Sequence, residues 1–181
     1  MEHLCEVKKM RKSELKNFIR NIPDFPRKGI LFRDITPLLQ NAGAFKYAIS
    51  KMLSFARKQG AECVVSAESR GFIFGSVLAY KLKVPFVPVR KPGKLPYKKI
   101  TKEFTTEYST DAFEMHEDAI KPGQKVLIVD DLLATGGTVA ATAELVERLG
   151  GKVCGFDFLI ELRGLKGRKS LKSEVYSIIK Y

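Results

Sequence analysis

The sequence predicts an α/β fold, with a mostly parallel central sheet flanked by helices. Three observations carry that prediction. Short apolar runs (Cys63 to Ala67, Phe86 to Val89, Val126 to Val129) lack polar alternation and read as strands buried on both faces. Around them lie stretches with the apolar spacing of amphipathic helices: Phe45, Ile49, Met52, Leu53 and Ala56, then Phe72 to Leu82, then Val139, Ala143, Val146 and Leu149. Strands and helices alternate along the chain, the order expected when helices cover the faces of a parallel sheet.

Composition bounds the function. A chain of 181 residues with no internal repeat or linker suits a single domain, residues 1–181, around one core. Hydrophobic residues at 45% and charged residues at 29% are ordinary for a soluble globular protein. No apolar run reaches roughly 18 residues and the start is not signal-like, so a cytoplasmic protein with no membrane contact is expected. Cys5, Cys63 and Cys154 are odd in number and widely spaced, which argues for a reducing compartment and against disulfides or a zinc site. His3 and His116 are too few for a multi-histidine metal centre. The net charge of +12, from 32 basic and 20 acidic residues, draws polyanions. No helix-turn-helix, aromatic RNA-binding signature or Cys/His finger accompanies it, so a small polyanionic substrate is expected rather than nucleic acid.

In chain order, Met1 to Lys12 is charged and unpatterned. Leu15, Phe18, Ile19 and Ile22 recur at helical spacing, predicting a short helix from Ser13 to Asn21 ended by Pro23. Pro23, Pro26 and Gly29 argue against regular structure before Ile30, and Ile30 to Ile35 suits a short extended segment. The Phe45–Ala56 helix stops by Gly60. After Cys63 to Ala67 comes a polar turn, Glu68-Ser69-Arg70-Gly71, at a helix start, where free N–H groups and an arginine favour an anion. After Phe86 to Val89 come Arg90, Lys91 and Lys94 around Pro92 and Gly93, a basic loop at a strand end. Tyr97 to Met115 is polar, threonine-rich and poorly periodic, a long flexible loop or a hairpin; such segments often serve as lids.

The densest chemistry follows Val126 to Val129. Asp130 and Asp131 stand where that strand would end, and Ala134-Thr135-Gly136-Gly137-Thr138 open the next helix, with Gly150 and Gly151 as its stop. Glycines let the backbone approach a ligand, and the amides of a helix start together with two hydroxyls suit a phosphate monoester. The carboxylates would repel that phosphate; they suit hydroxyl donors or a hydrated cation. A ligand with phosphate at one end and vicinal hydroxyls at the other is a ribose 5-phosphate. Val153 to Leu162 predicts another strand, Arg163 to Lys172 a basic turn or helix, and Val175 to Ile179 a terminal strand.

The run Val-Asp-Asp-Leu-Leu-Ala-Thr-Gly-Gly-Thr, Val129 to Thr138, resembles the phosphoribosyl-diphosphate signature of the type I phosphoribosyltransferases, and among them the adenine-specific family. The Pro-Asp-Phe-Pro…Gly-Ile-Leu-Phe-Arg-Asp-Ile element from Pro23, Glu68-Ser-Arg-Gly and Arg90-Lys-Pro-Gly-Lys-Leu-Pro extend the resemblance from about Pro23 to about Ile160. It implies the type I phosphoribosyltransferase fold, with an N-terminal hood at about residues 13–37 and a flexible lid loop at about 97–115. The implied reaction joins N9 of adenine to C1′ of 5-phosphoribosyl 1-diphosphate, giving AMP and diphosphate in purine salvage, in a homodimer and with Mg2+ held through diphosphate, ribose hydroxyls and water.

The resemblance also implies roles. Phe32 stacks on adenine while the backbone of Leu31 to Arg33 pairs with its edge, and Leu132 packs on the opposite ring face. Ser69, Arg70 and Gly71 hold diphosphate, helped by Arg90 and Lys94, across a non-proline cis bond at Glu68–Ser69. Asp130 and Asp131 grip O2′ and O3′, and Ala134, Thr135, Gly136, Gly137 and Thr138 cradle the 5′-phosphate. Glu107 and Tyr108 belong to the lid, Glu107 facing the imidazole ring; Ser109 stands where relatives usually have glycine. Catalysis would rest on Glu107, Arg70 and Asp130. Two other functions compete: transfer to hypoxanthine, guanine or xanthine, which the hood and the Asp-Asp pair disfavour, and a ligand sensor that binds nucleic acid through its basic face.

Overall fold

The computed structural model describes residues 11–105 and 110–181. The described residues up to Ser50 and those from Lys51 onward form two compact units.

In the first unit a 3-10 turn, Lys12–Phe18, leads into an antiparallel pair, β1 (Arg20–Pro23) and β2 (Leu31–Asp34). The helix expected from Ser13 to Asn21 therefore stops at Phe18. Ile19 adopts extended backbone, and β1 pairs residue for residue with β2, Ile22 against Phe32 and Pro23 against Leu31. The apolar spacing of Leu15, Phe18, Ile19 and Ile22 serves a short 3-10 helix and then a strand. Pro23 is accommodated in the pair because β1 is an edge strand, where a missing N–H costs no ladder bond on the open side. Asp24 (φ 56°), Gly29 (φ 88°) and a cis Phe25–Pro26 bond turn the chain between the strands, with Gly29 N donating to Asp24 Oδ1 at 2.7 Å. Helices α1 (Thr36–Gln40) and α2 (Ala42–Lys58) follow. The sequence reading missed α1, whose start is fixed by Asp34 accepting from Thr36 N at 2.9 Å and by Pro37 in its first turn.

The second unit is built on a five-stranded sheet. Its elements in chain order are β3 (Cys63–Ala67), α3 (Gly71–Leu82), β4 (Phe86–Val89), β5 (Lys99–Thr105), β6 (Thr110–His116), β7 (Lys125–Leu133), α4 (Gly137–Arg148), β8 (Lys152–Glu161) and β9 (Val175–Lys180). The strand order is β4-β3-β7-β8-β9 and every pairing is parallel. Parallel strands buried on both faces need continuous apolar runs, and the inner parts of β3 and β7 consist of them. Val65, Ile128, Phe156 and Phe158 pack beneath Val139, Leu145 and Val146 of α4. On the other face α3 presses so close that a methyl group on Gly75 would overlap Ser66 Oγ. Each fully buried Phe, Leu or Ile contributes about 1.5–3 kcal/mol before conformational entropy is subtracted.

One further expectation is narrowed to one of its alternatives, and another changes. The Tyr97–Met115 segment is a hairpin, β5 against β6, with Phe113 and Met115 buried and Lys102 bound to Glu144 of α4 at 2.7 Å. The central strand does not end at Val129. It runs to Leu133, because Asp130, Leu132 and Leu133 still pair with Phe158, Ile160 and Glu161 of β8.

Candidate active site

Because β4, β3 and β7 are adjacent and parallel, the loops leaving their carboxyl ends lie side by side, which is where open α/β sheets bind ligands. Those loops carry Arg90 to Lys94, Glu68 to Arg70, and Ala134 to Gly136, next to Asp130 and Asp131 near the end of β7.

Asp131 is 4% exposed and its Oδ2 lies 3.1 Å from Arg70 Nε, which joins the acidic pair to the turn after β3. Asp130 Oδ1 accepts from Asp131 N at 2.8 Å. The start of α3 is close as well: a Cβ on Gly71 would stand 2.9 Å from Asp130 Oδ1, so only glycine admits this approach. Burial raises both carboxyls, Asp130 well above the usual range with the charge of Asp131 adding to the effect, while Arg70 pulls both back. A pair held this way takes up hydroxyl donors or positive charge readily, since either restores the ionised form.

The turn after β3 contains a cis Glu68–Ser69 bond, at the position the resemblance implied. Glu68 Oε2 lies 3.2 Å from Arg90 Nη2 and 3.0 Å from Lys94 Nζ, and Oε1 accepts from Lys91 N at 2.5 Å. Burial alone would raise this carboxyl; the hydrogen bonds from Lys91 N, Lys94 and Arg90 bring it below its ordinary value. Arg70, Arg90 and Lys94 thus each face a carboxylate, and an arriving polyanion would exchange those contacts for its own. The basic loop is anchored from behind by buried Glu114, whose backbone exchanges two hydrogen bonds with Arg90, and whose Oε2 accepts from Gly93 N at 3.1 Å.

Between β7 and α4 lies a recess of about 80 Å³ lined by Asp130 and residues 132–139. Gly136 (φ 88°) directs the chain into α4. Its first-turn N–H groups have no carbonyl within the helix to bind, beside the hydroxyls of Thr135 and Thr138.

Ser69, Arg70, Gly71, Asp130 and Asp131 therefore come together, as do Arg90 and Lys94, and Leu132, Ala134, Thr135, Gly136, Gly137 and Thr138 share one recess. Leu31, Phe32 and Arg33 form β2 in the first unit. There Phe32 meets Phe25 edge-to-face at 5.0 Å and Arg33 Nη1 donates to Asn21 Oδ1. Among the described residues β2 pairs with β1 alone, so alternate backbone groups of Leu31 to Arg33 point away from the pair. Glu107, Tyr108 and Ser109 lie outside the described residues. Sequence reasoning passed over Glu68 and Glu114. Glu68 draws its side-chain partners from Arg90, Lys91 and Lys94, more than 20 residues away, and Glu114 pairs with Gly93 and, across the hairpin, with Lys99; the only local signal was Glu68, an acid directly after a buried strand.

A family model described as "Phosphoribosyl transferase domain" matches residues 38–180. The adenine phosphoribosyltransferase of Brachyspira hyodysenteriae is 60% identical over 169 residues, 93% of this chain and 99% of that protein. The crystal structure of adenine phosphoribosyltransferase from Thermoanaerobacter pseudethanolicus superposes with a TM-score of 0.92 at 52% identity, covering 94% of this chain and all of the other. The Saccharomyces cerevisiae structure, complexed with D-2,5-dideoxy-2,5-imino-altritol 1,6-bisphosphate and adenine, gives 0.87 at 42% identity, covering 92% and 97%. Likeness of this extent, along nearly the whole chain and in the arrangement of the sheet, makes the chain a member of the adenine phosphoribosyltransferase family.

Proposed function

We propose that this protein transfers the phosphoribosyl group of 5-phosphoribosyl 1-diphosphate to N9 of adenine. The bond from C1′ to the diphosphate oxygen breaks, the bond from C1′ to N9 forms, the N9 proton leaves, and AMP and diphosphate are released. The observation that carries this reading is the succession of sites along one sheet edge: the recess at Thr135–Thr138, the acidic pair, Arg70, and the Arg90–Lys94 cluster. That succession matches a ligand with phosphate, two hydroxyls and diphosphate in the same order.

Residue roles follow from charge. The amides and hydroxyls at Thr135 to Thr138 hold the 5′-phosphate, with Ala134, Gly136 and Gly137 giving the backbone room. Asp130 and Asp131 accept from O2′ and O3′, and Asp130 supports the positive ring as the leaving group departs. Ser69 and Gly71 bind the diphosphate, while Arg70, Arg90 and Lys94 meet the negative charge that grows on it. Leu132 packs against the base, Phe32 stacks on it, and the backbone of Leu31 to Arg33 pairs with its N6 donor and N1 acceptor. A 6-oxopurine reverses that pattern and leaves buried groups unpaired, at about 1–3 kcal/mol each. Glu107 and Tyr108 close the lid against water, with Glu107 at the imidazole ring.

The acidic pair supplies hard oxygens that suit Mg2+ carried on diphosphate, ribose hydroxyls and water. When bound, the ion spreads the negative charge of the diphosphate. A homodimer, a single catalytic domain with hood and lid, and a cytoplasmic setting in keeping with the free thiols of Cys63 and Cys154 complete the reading. Among the described residues no helix is long and apolar enough to cross a membrane.

Calorimetry with AMP and adenosine tests the phosphate site. AMP is expected to bind at least about a hundredfold tighter, as two charge-assisted contacts of 1.5–3 kcal/mol each would give, and Thr138→Glu is expected to remove that advantage. Equal affinity for the two ligands would refute the assignment of the recess.

A further inference from the structure

We propose that Arg168, through its fork onto Glu161, is a positioning residue for the 5′-phosphate loop: it holds residues 167–170 as a wall behind Ala134–Gly136. The inference rests on the reading that Thr135 to Thr138 receive the phosphate.

The wall and the loop meet without spare room. β8 runs beside β7 with Glu161 opposite Leu133, and Leu162 N continues the ladder by donating to Leu133 O at 2.9 Å. The chain then folds through two 3-10 turns, Arg163–Leu165 and Gly167–Ser170. At Gly167 it passes so near the loop that a Cβ there would overlap Ala134's carbonyl oxygen and stand 3.0 Å from Gly136 N. From the other side, a Cβ on Gly136 would stand 2.5 Å from Ser170 Oγ and 2.7 Å from Gly167 O. Ser170 Oγ donates to Gly167 O at 2.8 Å, which tightens the turn at this contact. The loop that must present its amides to a phosphate therefore has this one short segment at its back.

Arg168 is what fastens the segment. Its Nε and Nη2 donate to the two oxygens of Glu161, each at 2.8 Å, and its Nη1 donates to Val175 O at 2.7 Å. Nη2 also reaches Ser177 Oγ at 3.3 Å, and that hydroxyl donates to Glu161 Oε2. Glu161 is 5% exposed, and the Arg168 hydrogen bonds hold its carboxyl down at about 2, so the pair stays ionised over any ordinary assay range. A bidentate fork fixes direction as well as distance; an ammonium in its place would keep the charge and lose the direction. Arg168 touches Glu161, Val175 and Ser177, all on strands, and acts on the loop only through the wall.

The test is calorimetry with ribose 5-phosphate and, separately, with magnesium diphosphate, on the wild type and on Arg168→Lys, Glu161→Gln, Gly167→Ala and Thr138→Val. Displacing the loop by a fraction of an ångström is expected to weaken ribose 5-phosphate roughly ten- to a hundredfold in the first three variants, with diphosphate changed by less than about twofold. In turnover the KM for phosphoribosyl diphosphate rises while kcat holds. Gly167→Ala leaves the ion pair intact and disturbs only the contact, so it reports even if the pair variants fold poorly. Unchanged ribose 5-phosphate affinity in Gly167→Ala, or equal weakening of both ligands in all three variants, overturns the proposal. If Thr138→Val also leaves ribose 5-phosphate unaffected, the phosphate assignment itself falls and the proposal with it.

Discussion

Arg70→Gln is expected to lower kcat/KM for phosphoribosyl diphosphate by about 10²–10³-fold, the usual loss when one preorganised donor to a developing anion is removed. The loss should appear mainly in kcat, because charge on the diphosphate grows as the C1′–O bond lengthens and ground-state binding retains Arg90 and Lys94. A second consequence separates this from a simple binding defect. Arg70 Nε lies 3.1 Å from Asp131 Oδ2 and opposes the upward push that burial gives the Asp131 carboxyl. Without the guanidinium that carboxyl rises further, so the ionised pair, and with it the acid limb of the rate profile, is reached only at higher pH. Arg70→Lys keeps the charge and should keep the pH limb near its place while losing part of the rate. Steady-state kinetics across pH check both points. A variant that loses only KM, with an unmoved acid limb, would show that Arg70 binds substrate and does nothing more.

The second large effect is on stability. Asp157 sits in the middle of β8 between Val129 and Tyr176, is fully buried, and finds no hydrogen-bond partner for either oxygen among the described residues. Burial pushes its carboxyl well above the usual range, so the folded protein holds a proton there that the unfolded chain releases. The sign follows from linkage: stability falls as pH rises from the ordinary aspartate value toward the raised folded value, because over that window the native state binds more protons. Asp157→Val removes the orphaned group on a strand that favours valine. It is expected to add about 1–3 kcal/mol at neutral pH. For a chain of this length that corresponds to a Tm higher by very roughly 2–12 °C. The gain should shrink toward acid pH, where the aspartate is protonated in both states. Denaturant titrations at pH 5 and pH 8 would measure it. A variant less stable than the wild type at pH 8 would mean that Asp157 has a partner this account lacks.

How much of this was written locally in the sequence depends on the range of the interactions. β3 and β4 begin and end where their apolar runs do, because a strand buried on both faces has no other way to be solvated. β7 outlasts its apolar run by four residues. The carboxylates at its rim interrupt the apolar run, yet the strand carries on through them in the ladder with β8. Around Leu15 to Ile22, two turns of helical spacing were too short to exclude a short 3-10 helix followed by a strand, and pairing with β2 decided the outcome. The residues of the candidate site were recognisable by type and order. The groups that hold them were not: Glu68 gathers cations from 22 and 26 residues away. The 167–170 wall meets a loop about 30 residues earlier, and no local pattern encodes either juxtaposition.

The central claim is that this protein selects adenine for phosphoribosyl transfer. The direct measurement is product formation from phosphoribosyl diphosphate and Mg2+ with adenine, hypoxanthine and guanine in parallel. The account predicts AMP from adenine and negligible product from the other two bases. Turnover only with a 6-oxopurine would contradict the reading of Leu31 to Arg33, and no turnover with any base, despite binding of phosphoribosyl diphosphate, would point instead to a ligand sensor.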